Sequence, residues 1–238
     1  MRTPRILLGA AVLLLAACGT TTQGQPTAAS SAASSSAAPK TGTSTSSSAK
    51  PQDLAAFKPS ETNQDPSKKI KDIEIKAYAT GLHIQAPQRV AYDQSPPFGG
   101  AHDAVWAACS GVVYTKPVRN ENMVHTLEHG SVWIAYNPGQ VTGEALANLA
   151  KKVKGEPYMV MSPYPDLDKA VSLQSWGHRL KLDDPADPRV DQFIVALRTN
   201  EYQYPEPGAM CDSPTFDPDN PPPFDPSPAP AGSTPVGS

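Results

Sequence analysis

The sequence predicts an α+β fold with a mostly antiparallel sheet and two helices on one face of that sheet. The clearest segments follow one another in the order β-α-β-β-α in the second half of the chain, and each helical segment carries a single apolar stripe. This order resembles part of a ferredoxin-like unit. We therefore expect one globular domain over residues 68–211.

The first clear strand and helix lie in the middle of the chain. Residues 131–136 are mostly β-branched or aromatic on both faces, which is typical of a strand buried on two sides, and Asn137-Pro138-Gly139 ends it. A helix is expected over residues 142–154, with Thr142 as its cap and lysines near its carboxyl end. Its apolar stripe consists of Leu146, Leu149, Ala150 and Val153.

Further strands and a last helix follow. Residues 158–161 are typical of a second strand, and extended segments are expected at 171–176 and 180–182, with Gly177 as a turn or bulge between them. The last helix should begin at Asp187 and Pro188, as cap and first helical residue. Its apolar stripe consists of Val190, Phe193, Ile194 and Leu197. Before residue 114, repeated Pro and Gly predict only short strands and a long loop.

The amino terminus has the features of a bacterial lipoprotein signal peptide. Two arginines precede the apolar residues 6–17, a run about half as long as the roughly 20 residues that a membrane-spanning helix needs. The run ends in Leu15-Ala16-Ala17-Cys18-Gly19, which resembles a lipobox. We predict that residues 1–18 are the signal peptide and lipid site, and that palmitate-type chains on Cys18 hold the protein at the outer face of the cytoplasmic membrane. An ordinary secretory signal and an uncleaved anchor are the alternatives.

Low-complexity segments flank the predicted domain. Residues 19–67 are rich in Ser, Thr and Ala with few large apolar side chains, which predicts a disordered tether. Residues 212–238 are rich in Pro and Asp, which predicts a disordered tail. The formal net charge is -3 at pH 7 and the basic residues are scattered, so nucleic acid is not an expected partner. The membrane is the expected partner, and the sequence indicates no particular protein partner.

Two cysteines remain once Cys18 is assigned to the lipid. An exported protein meets an oxidising compartment, so we predict a disulfide between Cys109 and Cys211. This bond would close a loop of about a hundred residues and stabilise the fold by about 4–5 kcal/mol in the chain-entropy model. Two reduced cysteines, or Cys109 as a metal ligand, are the alternatives.

Histidines are the residues that most clearly indicate chemistry. A short helix ending at Gly130, with Asn120 or Asn122 as its cap, would place His125, Glu128 and His129 on one face. Histidines at i and i+4 are a recurring metal-ligand spacing. His102, after a Pro- and Gly-rich loop, is the candidate third nitrogen ligand. The predicted metal site consists of His102, His125, His129 and Glu128.

The chemistry of these ligands indicates which cofactor to expect. Three imidazoles and a carboxylate suit zinc or copper in its divalent state. A thioether would shift the preference towards Cu⁺, and the candidate thioethers are those of Met123, Met159 and Met161. His83 and His178 are expected to be surface or hydrogen-bonded residues and not ligands.

Two other interpretations of the cluster stay open. The histidines are purely structural if His125 and His129 lie on a solvated helix face, or if they pin the His102 loop by hydrogen bonds. The pattern His125-x-x-Glu128-His129 also matches the inverzincin metallohydrolases, with the glutamate as general base. Such an enzyme also needs a third ligand and a substrate cleft, and nothing marks the downstream Glu201 or Glu206 as that ligand. The metallohydrolase is therefore kept as a minor alternative, and a protein without enzymatic activity is the stronger expectation.

Several motifs together resemble a known bacterial family, domain of unknown function number thirty-one hundred and five. The motifs are Pro96-Pro97 to Gly100, Ala101-His102 with Trp106 and Cys109, Val124-His125-Thr126-Leu127-Glu128-His129-Gly130 leading into Trp133, and Ser162-Pro163-Tyr164-Pro165. The resemblance covers about residues 90–197 and departs at Ala101, where the family usually has Pro. It implies a shared fold and an extracytoplasmic setting, and it implies no activity.

The leading functional hypothesis combines these observations. It describes a membrane-tethered extracytoplasmic lipoprotein domain that binds a transition metal as a carrier or sensor. The alternative is a cell-envelope interaction module with structural histidines and no metal.

Overall fold

The computed structural model describes residues 53–237, so the predicted signal peptide, Cys18 and most of the predicted tether lie outside the described residues. The strands and α-helices in chain order are β1 (Glu74–Ile75), β2 (His83–Ile84), β3 (Val90–Ala91), β4 (His102–Asp103), β5 (Ser110–Val113), α1 (Asn120–Glu128), β6 (Val132–Tyr136), α2 (Gly143–Lys151), β7 (Met159–Pro163), β8 (Val171–Ser175), β9 (His178–Leu182), α3 (Arg189–Leu197) and β10 (Thr234–Pro235). The α+β class is confirmed.

Six of these strands form one mixed sheet in the order β1-β9-β8-β6-β7-β5. The pairs β1–β9, β9–β8 and β8–β6 are antiparallel, whereas β6–β7 and β7–β5 are parallel. The sheet is therefore mostly antiparallel, as predicted. α2 joins the parallel strands β6 and β7, because a parallel pair needs a crossover connection. Three strands lie between α2 and α3, so the observed order is β-α-β-β-β-α, one strand longer than the predicted order.

The side chains of β6 alternate between two cores on opposite faces of the sheet. Ile134 belongs to the first core, which also contains Leu149 of α2 and Phe193 of α3. Trp133 belongs to the second core, which contains the apolar side of α1. Both predicted helices thus cover one face of the sheet, as expected. The helix with the histidine motif covers the opposite face.

The predicted helix caps are only partly correct. Thr142 precedes α2 in an extended conformation, but its side chain makes no capping hydrogen bond. Asp187 does cap the first turn of α3, since its carboxylate accepts a hydrogen bond from the Arg189 N–H at 2.8 Å. The residue before α1 is Arg119, so neither Asn120 nor Asn122 is the cap.

The segment before residue 68 packs on the domain further than its composition predicts. Phe57 contacts the first core, and Ile70, just after the segment, is buried within it. The Asn200 side-chain amide donates to the Gln64 carbonyl at 2.9 Å. Asp65 lies 3.5 Å from His178, measured between Oδ2 and Nε2. The domain therefore begins before the predicted boundary, because one phenylalanine and several polar contacts anchor an otherwise largely polar segment.

The contact of Asp65 with His178 predicts a pH dependence of stability. Burial would raise the pKa of Asp65, but hydrogen bonds and charge from His178, Ser67 and Lys68 outweigh it and lower the pKa to about 2 from 3.8. A carboxylate with a lowered folded-state pKa stabilises the fold above its unfolded pKa, and this contribution is lost as pH falls through the folded pKa. Asp65→Asn should therefore lower the urea midpoint at neutral pH, and the difference from the wild-type protein should vanish near pH 2. Glu61→Gln, at an exposed position of the same segment, is the control, and equal midpoints for Asp65→Asn and wild type at neutral pH would refute the prediction.

The Pro-rich segment, expected to be a disordered tail, lies along the domain up to residue 237. Its strand β10 pairs in parallel with β3. Phe216 and Phe224 contact the second core, and Arg89 binds Asp225 at 2.6 Å. Proline restricts the unfolded chain, so ordering such a segment costs less entropy than ordering a flexible one. The apolar anchors and this low cost explain why a Pro-rich composition is compatible with a docked segment.

The predicted disulfide between Cys109 and Cys211 is present. It joins the residue before β5 to the start of the Pro-rich segment, 102 residues further along the chain. Cys109 therefore is not a metal ligand. Among residues 53–237, no helix has both the length and the apolar character needed to cross a bilayer.

Candidate metal centre

Three elements bring histidines together on the face of the sheet that α1 covers. β2 and β4 pair in parallel with His83 directly opposite His102, and His125 projects from α1 towards them. The ring centroids of these three histidines lie 4.6, 4.8 and 4.9 Å apart. Glu128, one turn after His125, places its carboxylate at the same point. The structure thus gathers residues that are 45 positions apart in the sequence.

α1 is buried on both sides. Its apolar residues Met123, Val124 and Leu127 belong to the second core. On its polar side, His125 is 4 %, His129 3 % and Glu128 0 % exposed. The interpretation that the histidines lie on a solvated helix face is therefore wrong.

Gly130 sets the end of this helix, as predicted. Its φ angle is 89°, in the left-handed region, which a residue with a Cβ adopts only with strain. A Cβ at this position would also lie 2.7 Å from the ring of Tyr204. The glycine thus allows the segment around Tyr204 to approach the carboxyl end of α1.

The three buried histidines of this region share one orientation. Nδ1 lies 2.7 Å from the Gly100 carbonyl in His102, 2.6 Å from the Asp103 carbonyl in His125 and 2.7 Å from the Met210 carbonyl in His129. Because a carbonyl only accepts, each Nδ1 carries the proton and each neutral ring keeps its lone pair on Nε2. Metal-binding histidines are commonly oriented in this way, by a hydrogen bond from the nitrogen that does not bind the ion.

Glu128 is held in a similar way. Its Oε1 accepts a hydrogen bond from the Gly81 N–H at 2.8 Å. Its Oε2 lies 2.8 Å from Nε2 of His102 and 3.7 Å from Nε2 of His83. With the proton of His102 on Nδ1, both Oε2 and Nε2 are buried acceptors without a donor. Two acceptors this close repel each other unless a cation lies between them, and that cation is either a proton or a metal ion.

The environment also sets the charges of these groups. Burial lowers the pKa of His125 to about 3, and charge repulsion from His102 acts in the same direction. Burial lowers the pKa of His129 as well. Burial raises the pKa of Glu128, but a hydrogen bond and positive charge from His102 outweigh this effect and lower the net pKa, which is the case in which the cation between Oε2 and Nε2 is a proton. Neutral imidazoles beside an ionised carboxylate are the protonation states that a metal ion requires.

The candidate ligands form two overlapping groups. The inner group consists of His83, His102, His125 and Glu128; the outer group consists of His125, His129 and Glu206. Within each group one donor atom per residue lies within 4.8 Å of the others. Ligand atoms on one zinc ion are about 3–3.5 Å apart for bonds of about 2.0–2.1 Å. The largest separations would therefore have to shorten by about 1–2 Å for either group to close around an ion.

The four residues predicted as one site are thus divided between the two groups. His102, His125 and Glu128 come together in the inner group, whereas His129 belongs to the outer group with His125 and Glu206. His83, expected to be a surface or hydrogen-bonded residue, joins the inner group although its side chain is 38 % exposed. His83 joins the group because β2 pairs with β4, which places it opposite His102. Strands of two residues have no periodicity in the sequence, so this pairing could not be predicted.

The other candidates stay outside both groups. Met159 and Met161 belong to the first core on the far face of the sheet, and Met123 is buried in the second core. Met159 and Met161 are thus separated from the histidines by the sheet, and Met123 packs on the apolar side of α1, so these thioethers do not support a preference for Cu⁺. His178 donates from Nδ1 to the Trp176 carbonyl at 2.7 Å, in agreement with its expected role as a hydrogen-bonded residue.

Fold and site together define an α+β domain with a buried histidine and carboxylate cluster under one helix. Residues 83–213 match the family model described as "Protein of unknown function (DUF3105)". The match covers more than half of the 238 residues, and the protein belongs to this family, as the sequence motifs predict. The matched region begins at His83 and extends past Cys211, so it includes both ligand groups and the disulfide. No curated protein and no solved structure matches the sequence.

Proposed function

We propose that this protein is a membrane-tethered extracytoplasmic domain that binds one zinc or copper ion through the inner group. The observation that carries the proposal is the convergence of acceptors at a buried point. Nε2 of His102 and His125 are aimed by backbone carbonyls, and Oε2 of Glu128 meets them there. Histidines that served only as hydrogen-bond donors would not need their unprotonated nitrogens beside a carboxylate, since buried acceptors without a donor are destabilising.

The donor set favours zinc or divalent copper. The inner group offers three imidazoles and one carboxylate, and zinc in proteins commonly takes four such ligands. The Gly81 N–H engages Oε1 of Glu128, which leaves one oxygen to bind the ion. His83 is the exposed ligand, so the ion would have contact with solvent at one side. Contact with solvent would allow the ion to exchange. Exchange is expected of the ion in a metal carrier or sensor, and it is not needed for an ion with a purely structural role.

A metallohydrolase is less well supported. The inverzincin pattern assigns Glu128 as a general base, which must reach a water molecule at the substrate. In the structure Glu128 is fully buried, with one oxygen on the Gly81 N–H and the other on His102. This burial favours a ligand role for Glu128 over a general-base role.

Elemental analysis tests the metal proposal directly. The full chain, purified without a histidine tag, should contain about one zinc or copper ion, lose it to a chelator and regain it on titration. Binding should also raise the melting temperature, because a ligand present at about 100 times its Kd stabilises the folded state by about 2.7 kcal/mol. If Zn²⁺ and Cu²⁺ give neither heat nor stabilisation, the metal proposal fails and an interaction module with structural histidines remains.

The anchoring part of the proposal has its own test. Cys18→Ser removes the thiol that the lipid would modify, so the variant should appear as an uncleaved or soluble form and leave the detergent phase. Ser31→Ala, in the predicted tether, is the control and should partition as the wild-type protein does. Detergent partitioning with mass spectrometry measures both properties. An acylated Cys18→Ser variant would contradict the lipoprotein assignment.

A further inference from the structure

We propose that the outer group is a second metal position, and that an ion moves between the two groups by exchanging ligands around His125. This inference rests on the proposed function, because both groups contain His125. The starting observation is that two ligand groups share one residue, His125. Their chemistry suits an ion with labile imidazole and carboxylate ligands, such as zinc or copper.

The outer group is formed by side chains that are held in place. His129 donates from Nδ1 to the Met210 carbonyl, and its Nε2 lies 3.4 Å from Oε2 of Glu206. Glu206 is held near α1 because its backbone N–H donates to the Glu128 carbonyl at 3.1 Å. The indole of Trp106 packs against the rings of both His125 and His129, at 5.4 and 4.9 Å between centroids. The two imidazoles of the outer group thus have fixed positions before any ion binds.

Both positions need His125 as a ligand, so an ion can occupy only one of them at a time. Its Nδ1 is engaged with the Asp103 carbonyl at 2.6 Å, so Nε2 is the only nitrogen with a lone pair. One lone pair binds one ion at a time. The protein should therefore bind a single ion that is distributed between the groups, and not two ions with full ligand sets.

Each of the two groups includes one exposed ligand. The side chain of His83 is 38 % exposed and that of Glu206 is 43 % exposed, whereas the ligands between them are buried. Each group therefore has one ligand at the surface, and these two surface ligands belong to different groups. Each group also contains one carboxylate, so the formal ligand charge is equal at the two positions. An ion that keeps its bond to His125 can cross from one group to the other without becoming fully hydrated.

Nitrogen NMR of the full chain labelled with ¹⁵N-histidine tests this inference without a disruptive substitution. During titration with Zn²⁺ up to one ion per chain, the Nε2 resonance of His125 should shift fully, and those of His102 and His129 should both shift in part. Glu206→Gln should abolish the shift of His129 and retain that of His102. Glu201→Gln, at a nearby exposed position, is the matched control and should behave as the wild-type protein.

The possible outcomes separate the two proposals. If His102 and His125 shift but His129 does not, the outer position is refuted and the inner site stands. If the His129 shift persists in Glu206→Gln, Glu206 is not a ligand and the outer group as defined here is refuted. If none of the three resonances shifts, the proposed metal site itself fails, and the second position fails with it.

Discussion

Replacing His125 by alanine should abolish stoichiometric metal binding, because His125 is the one ligand that both groups contain. The substitution removes the one ligand nitrogen that the two positions share. Isothermal titration with Zn²⁺ should give no saturable heat, and added metal should no longer raise the melting temperature. The metal-free variant should also lose about 1–3 kcal/mol of stability, since the buried Asp103 carbonyl is left without its donor.

His178→Ala is a matched control for this variant. His178 is 4 % exposed, as His125 is, and it also donates from Nδ1 to a backbone carbonyl, that of Trp176. It belongs to neither ligand group. His178→Ala should therefore lose stability and still bind one ion. If His125→Ala and His178→Ala bind metal equally well, the site is wrongly assigned.

A second variant, at the half-exposed ligand His83, tests the site in case His125→Ala does not fold. If His125→Ala does not fold, His83→Ala provides the comparison, because a residue that is 38 % exposed at the side chain leaves only a small cavity. This variant should fold and bind zinc about tenfold or more weakly, which is the size of effect that removal of a supporting group at a metal site produces. An unchanged affinity would remove His83 from the inner group.

The elements that the sequence predicts well are those whose own periodicity is strong. β6 has apolar or aromatic residues on both faces, and α2 and α3 have clear apolar stripes. Their existence, type and shared face follow from these patterns. Strands of two residues have no such pattern, so β2 and β4 could not be located from the sequence. These are the strands that bring His83 opposite His102.

The division of the histidines between two groups was also not predictable. Helical spacing correctly places His125 and His129 side by side, with ring centroids 4.6 Å apart. The direction of each ring depends on a carbonyl from a distant segment, Asp103 for His125 and Met210 for His129. Such partners are tertiary contacts, and no local pattern specifies them.

Removing the disulfide should have the largest effect on stability. The bond between Cys109 and Cys211 spans 102 residues, and a loop of this length stabilises a fold by about 4–5 kcal/mol in the chain-entropy model. Total stabilities are about 5–15 kcal/mol, so the double variant Cys109→Ser/Cys211→Ser should unfold at a much lower urea concentration. The wild-type protein in reductant should unfold like the double variant, and the variant itself should be insensitive to reductant.

The same substitution should affect the two ligand groups unequally. Met210, whose carbonyl accepts the Nδ1–H of His129, directly precedes Cys211, whereas the carbonyls that hold His102 and His125 belong to Gly100 and Asp103. Loss of the disulfide should therefore free the His129 ring first. In the folded double variant, the zinc-induced ¹⁵N shift of His129 should weaken while that of His102 remains.

Asp212→Asn, exposed and adjacent to Cys211, is the control and should change neither the unfolding midpoint nor the His129 shift. Equal midpoints in the presence and absence of reductant would contradict the stabilising role, and an unchanged His129 shift in the double variant would show that the disulfide does not hold the outer group in place.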